Sequence, residues 1–300
     1  FYDGLWVGKD SKIPNVRGFR KDIIEKFKAI NPPVLRWPGG CYAEVYDWRD
    51  GIGEDRPTRI NWWTYKDNRY EPNEVGTHEF MDFCELVGAK GYFAANLTAM
   101  TPMHIRNWMD YCLSPRGSTT LAIEREKNGH PEPYNVRFGG IGNTDENVWH
   151  IDFNNPEAYA QTFMKYRAVL RKERDSIYWI GLGLSTRHKM PGWPGQMLNY
   201  VTRNQRDKGP DALSVHHYLG GAKQGGALCG GDVEYSDEAY YALLDLLERY
   251  QYDIDLHRVT IREHTNPKYP TKICFDEWGA WHPEATIENY QRQRQTLRDA

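Results

Sequence analysis

Five cysteines are spread over 300 residues, and none forms a CxxC pair or sits at metal-ligand spacing. That excludes zinc-finger and thioredoxin-like classes, and no metal or other cofactor is expected. Cys84 and Cys112 lie inside apolar helical patterns and are expected to be buried thiols. The odd number, completed by Cys41, Cys229 and Cys274, points to a reducing compartment. No run of about eighteen apolar residues occurs, so no membrane-spanning helix is expected. Phe1-Tyr2-Asp3-Gly4 is not a signal peptide, and the chain starts without Met. A cytoplasmic protein with a truncated N-terminus is the expectation. Neither sign of charge dominates: the formal net charge of −3 creates no field that would recruit nucleic acid or an anionic membrane. There is no low-complexity tract, linker or composition break, so residues 1–300 read as one domain.

What the chain does contain is an ordinary core fraction, 40% hydrophobic, and many aromatics, including eleven Trp and twenty Tyr. Several of these rings stand beside Gly, Pro, Asn or Asp, where loops form. Flat apolar rings beside hydrogen-bonding groups suit a flat polar ligand such as a sugar. The competing reading is that a large core buries them.

Short apolar runs alternate with amphipathic stretches. Strands are predicted at Val34–Trp37, Gly91–Asn96, Val136–Ile141, Tyr178–Leu182, Leu213–His216 and Ile273–Asp276. Helical spacing appears at Ile23–Ile30, Phe80–Val87, Ile105–Tyr111, Ala158–Leu170 and Tyr240–Tyr250. Thr77, Asn155-Pro156 and Ser236 mark helix starts. Strand and helix alternating without a hairpin signal predicts parallel strands with right-handed crossovers. No G-x-G-x-x-G follows the first strand, so a dinucleotide-binding sheet lacks support. Polar residues instead close nearly every strand: Arg36, Asn96, Asn143, His216 and Glu277. A (β/α)8 TIM-type barrel gathers strand ends around one mouth and is the better α/β reading. Six strands are clear, with a piece of another at Leu5-Trp6-Val7, and the chain ends inside a helical pattern from Ile287 to Ala300. The barrel is therefore expected to be incomplete.

Glu277, in Cys274-Phe275-Asp276-Glu277-Trp278-Gly279-Ala280-Trp281, puts a carboxylate at the end of a buried strand. Such a placement is costly unless the group is paired or functional. A sugar stacked on Trp278 or Trp281 would bring its anomeric carbon near that carboxylate. Retaining glycosidases need two carboxyls about 5–5.5 Å apart. The second should close another strand, yet Ile141-Gly142-Asn143 is followed by Thr144, Asp145 and Glu146. A hydroxyl is too weak an acid to protonate a leaving oxygen at neutral pH. Either Glu146 reaches in from the loop, or the acid/base is absent and Asp145 and Glu146 are a solvated pair. His216 and His217 are adjacent strand residues and point to opposite faces, so they cannot ligate one metal in regular register. One His facing the pocket competes with a structural histidine. Asn96 reads as an amide for sugar hydroxyls or as a turn-former.

Taken together, Val34-Leu35-Arg36-Trp37-Pro38-Gly39-Gly40-Cys41-Tyr42, Gly76-Thr77-His78-Glu79-Phe80-Met81, Ala95-Asn96-Leu97, Gly142-Asn143, Ser214-Val215-His216-His217-Tyr218 and Phe275-Asp276-Glu277-Trp278 resemble, in order, the α-L-arabinofuranosidases of glycoside hydrolase family 51. The resemblance runs from Leu5 to Ala300. It implies a (β/α)8 barrel followed by a C-terminal β-sandwich, and retaining removal of terminal arabinofuranosyl groups from arabinan, arabinoxylan or their oligosaccharides. Glu277 resembles the family nucleophile. Asn96, Asn143, His216 and Tyr218 resemble residues of the −1 sugar site, Trp281 the aromatic beside it, and Arg36 a residue that organises it. The family's acid/base directly follows its G-N pair, where this chain has Thr144, with Glu146 as the fallback. The segments before Leu5 and after Ala300, including the eighth strand and the sandwich, have no counterpart. An arabinose-containing saccharide is the implied partner, and the resemblance allows a homo-oligomer. Two alternatives stay open: a sugar-binding pseudoenzyme or acid/base-deficient variant, on the strength of Thr144, and an endo-β-glucanase on the same scaffold.

Overall fold

The structure is a computed structural model that describes residues 4–60, 70–143, 155–170, 176–185, 192–219, 230–231, 233–280 and 282. Its contacts divide the chain into two compact units, Phe1–Gly142 with Arg167–Tyr178, and Asn143–Tyr166 with Trp179–Ala300.

The first unit opens on a small antiparallel pair, β1 (Asn15–Val16) and β2 (Phe19–Arg20). Trp6 makes a lone antiparallel bridge to Phe19, so the expected strand at Leu5-Trp6-Val7 is a cover on this hairpin rather than a parallel strand. The turn needs Gly18: its φ is 92°, and a Cβ there would meet the Trp6 ring at 2.5 Å. Helix α1 (Lys21–Ile30) ends on Asn31 in the left-handed region, whose N–H returns to Phe27 O. Strand β3 (Val34–Trp37) leads into two short 3-10 turns, Cys41–Glu44 and Trp48–Gly51. A second antiparallel pair, β4 (Arg59–Ile60) with β5 (Tyr70–Glu71), was also not signalled by the sequence. Helix α2 (Thr77–Val87) starts one residue earlier than expected, with Gly76 as N-cap. Glu79 accepts the Gly76 N–H at 2.9 Å and a two-pronged contact from Arg56 at 3.0 Å, which fixes the chain entering the helix. Strand β6 (Lys90–Ala94), helices α3 (Pro102–Leu113) and α4 (Thr120–Lys127), and strand β7 (Val136–Gly140) complete the unit. Its three long strands pair in parallel in the order β3, β6, β7.

Most of this unit's aromatic content is core. Trp37 stacks on Phe80 at 5.6 Å between ring centres, Phe93 lies 4.3 Å from Trp108, and Trp108 stacks on Trp48. Trp48 and Trp108 are nearly inaccessible. A second cluster joins Trp6, Phe19 and Ile24 to Val75, Phe83 and Val87. Cys84 and Cys112 are buried, as expected, and burial pushes the Cys84 thiol up to about 12. Arg125 is fully buried as well, and its guanidinium donates to the carbonyls of Tyr111, His130 and Pro131, tying α4 to α3.

In the second unit, α5 (Pro156–Val169) begins with Pro156 at its first position, and Asn155 caps it by accepting the N–H groups of Glu157 and Ala158. It is followed by β8 (Tyr178–Ser185), α6 (Trp193–Val201), β9 (Ala212–Leu219), α7 (Asp237–Asp245), α8 (Glu248–His264) and β10 (Lys272–Ala280). The single helix expected over 240–250 is two, divided at Leu246-Leu247. The strands pair in parallel in the order β8, β9, β10. Tyr159 on α5 accepts the Leu182 N–H at 2.9 Å, and its ring covers the buried Trp193. Helices α6 and α8 approach closely at Gly195, where a Cβ would meet the His264 ring at 2.7 Å. Six parallel strands, each joined to the next through helices, are the α/β repeat of a TIM-type barrel, with six of its strands among the described residues. The helical pattern over 287–300 lies outside them.

One buried polar cluster in the first unit has a consequence for stability. His78 on α2 sits between two tyrosines: Nε2 meets Tyr111 Oη and Nδ1 meets Tyr134 Oη at 2.7 Å. A neutral imidazole, one donor and one acceptor, satisfies both hydroxyls, and burial holds its pKa down to about 4. The unfolded chain, whose histidine titrates near 6.5, therefore takes up this proton first as the pH falls. Stability present above pH 6.5 should drain away on acidification toward pH 4, at roughly 1 kcal/mol per pH unit. His257 on α8, also lowered by burial, adds to the same trend in the second unit. Thermal unfolding at pH 7 and pH 5 checks this: His78→Gln should flatten the pH dependence, and a slope equal to that of the parent chain refutes the assignment.

Candidate active site

Strand β9 carries Ser214, His216 and Tyr218 at alternate positions, so the three side chains share one face. The intervening His217 turns to the other face, where Nδ1 meets Asp253 of α8 and the ring packs on Tyr250. The two adjacent histidines thus separate as their spacing predicts.

Strand β10 runs beside β9 in simple register from Lys272↔Ala212 to Phe275↔Val215 and then shifts, so that Glu277 pairs with His216 and Trp278 with His217. Asp276 is the extra residue of this bulge. Both carboxylates consequently reach the same imidazole. Asp276 Oδ1 lies 3.3 Å from His216 Nε2, and Glu277 Oε2 lies 3.4 Å from His216 Nδ1. Ser214 Oγ donates to Asp276 Oδ1 at 2.7 Å and stands 3.1 Å from His216 Nε2. Tyr218 Oη donates to Glu277 Oε2 at 2.8 Å. His216 and Asp276 are buried, and Glu277 keeps some exposure, 14% of its side chain. A carboxylate that receives a phenolic proton and faces an imidazole is oriented and held as an acceptor, while its partial exposure leaves it open to a ligand.

Trp278 belongs to the other face of β10. Its ring neighbours Phe275 at 6.4 Å and is 65% exposed, so it does not stand beside the Glu277 carboxylate. Trp281, Thr144 and Glu146 lie outside the described residues. Asn143 is buried at the start of the second unit.

The first unit places the remaining expected residues. Arg36, on β3, sets its guanidinium carbon over the Tyr92 ring at 5.5 Å. Asn96, two residues beyond β6, is buried; its Nδ2 donates to Tyr46 O at 3.1 Å and its Oδ1 accepts the Ala99 N–H at 2.9 Å. The amide thus ties the loop after β6 to the turn after β3. Beside it stands a residue the sequence did not single out. Glu44, in the first 3-10 turn, is 2% exposed, and its Oε2 accepts from Leu97 N at 3.1 Å and Thr98 Oγ1 at 3.4 Å. Half-buried Tyr42 within this turn and buried Tyr46 just beyond it both have phenols pushed up by desolvation. No group of three metal-ligating side chains occurs among the described residues.

The α-L-arabinofuranosidase 1 domain family model matches residues 26–221 of this chain. The chain belongs to that family. An intracellular exo-α-L-arabinofuranosidase from Bacteroides ovatus is 32% identical over the whole chain and 56% of its own length. An intracellular exo-α-(1→5)-L-arabinofuranosidase from Acetivibrio thermocellus is 29% identical over 94% of this chain and 52% of its own length. Among solved structures, the family 51 arabinofuranosidase of Xanthomonas axonopodis pv. citri superposes with a TM-score of 0.86 at 32% identity, covering all of this chain and 59% of that one. The α-L-arabinofuranosidase of Thermotoga maritima in complex with arabinose superposes with a TM-score of 0.73 at 31% identity, covering 94% of this chain and 53% of that one. The chain spans about half the length of the curated relatives it matches. These structural likenesses support the α/β barrel reading of the repeat.

The Asn96 geometry predicts a structural cost. Asn96→Ala strands the Tyr46 carbonyl and the Ala99 N–H in a buried loop, and should lower unfolding free energy by about 1–3 kcal/mol in denaturant titration. A variant as stable as the parent chain would show that the amide is dispensable to the loop.

Proposed function

We propose that this chain is the core of a retaining α-L-arabinofuranosidase catalytic domain, with Glu277 as nucleophile. The observation that carries the proposal is Glu277 in the C-terminal half of β10, receiving the Tyr218 hydroxyl at 2.8 Å and facing His216, in a family of arabinofuranosidases. In a double displacement the nucleophile's attacking oxygen must be aimed and unprotonated, and a donor at the other edge of the carboxylate group aims it. Arg36, Asn96, Asn143 and Trp281 take sugar-site roles in this proposal by family likeness. The substrate is a terminal arabinofuranosyl group on arabinan- or arabinoxylan-type material, supported by the names of both relatives and the arabinose held by the Thermotoga enzyme. Both relatives are named intracellular, which supports the cytoplasmic expectation, and no helix among the described residues is long and apolar enough to cross a membrane. Glu277→Ala should abolish turnover of 4-nitrophenyl α-L-arabinofuranoside and all labelling by a mechanism-based arabinofuranosyl reagent. Label found on another residue overturns the nucleophile assignment.

The acid-deficient form of this reading is favoured by one feature, Thr144 at the position after Gly142-Asn143. With no carboxylic acid there, glycosides whose leaving oxygen needs no proton still glycosylate Glu277, whereas alkyl and natural glycosides lose roughly 10²–10⁴-fold. The same residue activates water in the second step, so the glycosyl-enzyme accumulates and azide, which needs no base, speeds its breakdown. Thr144→Glu should restore the poor leaving groups. Normal hydrolysis of a natural arabinoside by the parent chain, abolished in Glu146→Ala, would instead make Glu146 the acid/base.

A further inference from the structure

We infer that the groove between helices α5 and α6 is a second, non-catalytic site that binds a neutral oligosaccharide. Such a site lies beyond the proposed reaction and uses none of the residues around Glu277.

The groove has a volume of about 710 Å3, within the range of about 300–1,000 Å3 usual for small-molecule sites. One wall is a face of α6. Gln196, Asn199, Tyr200 and Arg203 recur at i, i+3, i+4 and i+7, so they line up along one side of the helix and the turn beyond it. The other side of α6, with Trp193, Met197, Leu198 and Val201, is buried and fixes that wall. The facing wall is α5, with Asn155 and Glu157 at its start and Pro156 and Met164 supplying apolar surface.

Four carboxamides line the groove: Asn155, Gln196, Asn199 and Asn204. A carboxamide offers a donor and an acceptor side by side, which matches sugar hydroxyls, each of them both donor and acceptor. Two of the four are already oriented. Asn155 Oδ1 accepts the N–H groups of Glu157 and Ala158 at 2.9 and 3.3 Å, and Asn199 Oδ1 meets His264 Nδ1 at 3.0 Å. Each therefore presents its NH2 group as a donor in a fixed direction. Tyr200, 37% exposed, adds a flat apolar ring with a hydroxyl at its edge. The charged lining residues are one acid, Glu157, and one base, Arg203, so the groove carries no net charge that would select an anion or a cation.

The turn after α6 points the same way. Arg203, Asn204 and Gln205 have φ of 48°, 55° and 69°, three successive residues in the left-handed region with no glycine among them. Asn204 N–H on Asn199 O at 2.8 Å and Gln205 N–H on Thr202 Oγ1 at 3.1 Å hold that form. Glycine suits such a backbone best. The chain instead carries side chains there, and those of Arg203 and Asn204 line the groove.

Its place in the fold separates the groove from the chemistry. The turn beyond α6 leads into Ala212, the first residue of β9, whereas His216, Tyr218 and Glu277 lie toward the C-terminal ends of β9 and β10. A sugar unit held in the groove is therefore not the unit cleaved. It tethers the chain to a polymer and raises the local concentration of further units.

Side-chain amide NMR tests this in the 300-residue chain labelled with 15N at asparagine and glutamine. Loss of a signal in Gln196→Glu, Asn199→Asp or Asn204→Asp assigns each groove amide. These amides should shift on titration with β-(1→4)-xylotriose or, in Glu277→Ala, with α-(1→5)-arabinotriose, each with a millimolar Kd, and the stronger response names the polymer chain held. Tyr200→Ala should weaken binding roughly tenfold. Asn204→Gly separates a ligand role from a structural one. It relieves the backbone, so its Tm should equal or exceed the parent's, while binding falls roughly two- to tenfold. Amides that stay still with both trisaccharides, that move only with inorganic phosphate, or that respond undiminished in either variant overturn the inference. Turnover of 4-nitrophenyl α-L-arabinofuranoside should persist in both variants; a tenfold loss would make the groove part of the catalytic site and overturn the inference as well. The binding signals need no turnover, so failure of the arabinofuranosidase reading leaves them standing.

Discussion

In a regular strand, neighbouring side chains point to opposite faces, so Asp276 and Glu277 could not both reach His216. The extra residue in β10 removes that prohibition. Up to Phe275 the strand follows β9 residue for residue; beyond it Glu277, not Asp276, is opposite His216. The ladder loses a pairing there, and the hydrogen bond from Ser214 to Asp276 replaces part of what is lost. Every contact that makes Glu277 more than a strand-end acid follows from this one irregularity. With regular pairing, Glu277 would lie opposite His217, on the side of the sheet that packs against α8.

That opposite side explains why the inner face can be so polar. His217 of β9 and Phe275 of β10 face a helix-borne partner, Tyr250, whose ring lies against both. The polar member of that layer, His217, is satisfied by Asp253 at its ring and by the Tyr250 hydroxyl at its carbonyl. Apolar packing on one face fixes the strand pair, and the other face is left to carry Ser214, His216, Tyr218, Asp276 and Glu277 without depending on them for adhesion.

How much of this was legible in the sequence divides along the same physical line. Period-2 alternation assigned His216 and His217 to different faces, and the strand carrying Glu277 was visible from its apolar run, although it continues to Ala280. Asp276 was not, because alternation places it on the wrong face and nothing in Phe275-Asp276-Glu277-Trp278 announces a bulge. Trp278, next to Glu277 in the strand, points to the other face by simple alternation and lies near Phe275 rather than beside the carboxylate. Glu44 escaped notice because it sits in a short 3-10 turn with no periodic pattern, and its partners Leu97 and Thr98 are more than fifty residues away. The aromatic richness was ambiguous for a different reason. Composition cannot tell a ring in a core from a ring on a ligand, and most of those described, such as Trp48, Trp108 and Trp193, are core.

The two carboxyls of a double displacement need not share the same structural fate. Here the surroundings of Glu277, the proposed nucleophile, include two adjacent strands: β9 supplies the hydroxyl, imidazole and phenol, and β10 supplies both carboxylates. The proposed acid position, Thr144, follows β7 in the sequence and lies on neither β9 nor β10. On that proposal, the missing acid removes a proton donor while the β9 and β10 groups around Glu277 stay in place. General acid catalysis is worth about 3–5 kcal/mol of barrier, and that deficit applies only to leaving groups that need the proton. On the proposed reading, a chain of this kind would keep the capacity to form the glycosyl bond while losing the capacity to choose ordinary glycosides for it. Selection on sugar binding or on transfer from activated donors could maintain the β9–β10 array intact, whereas selection on polysaccharide breakdown could not tolerate Thr144 without a substitute such as Glu146.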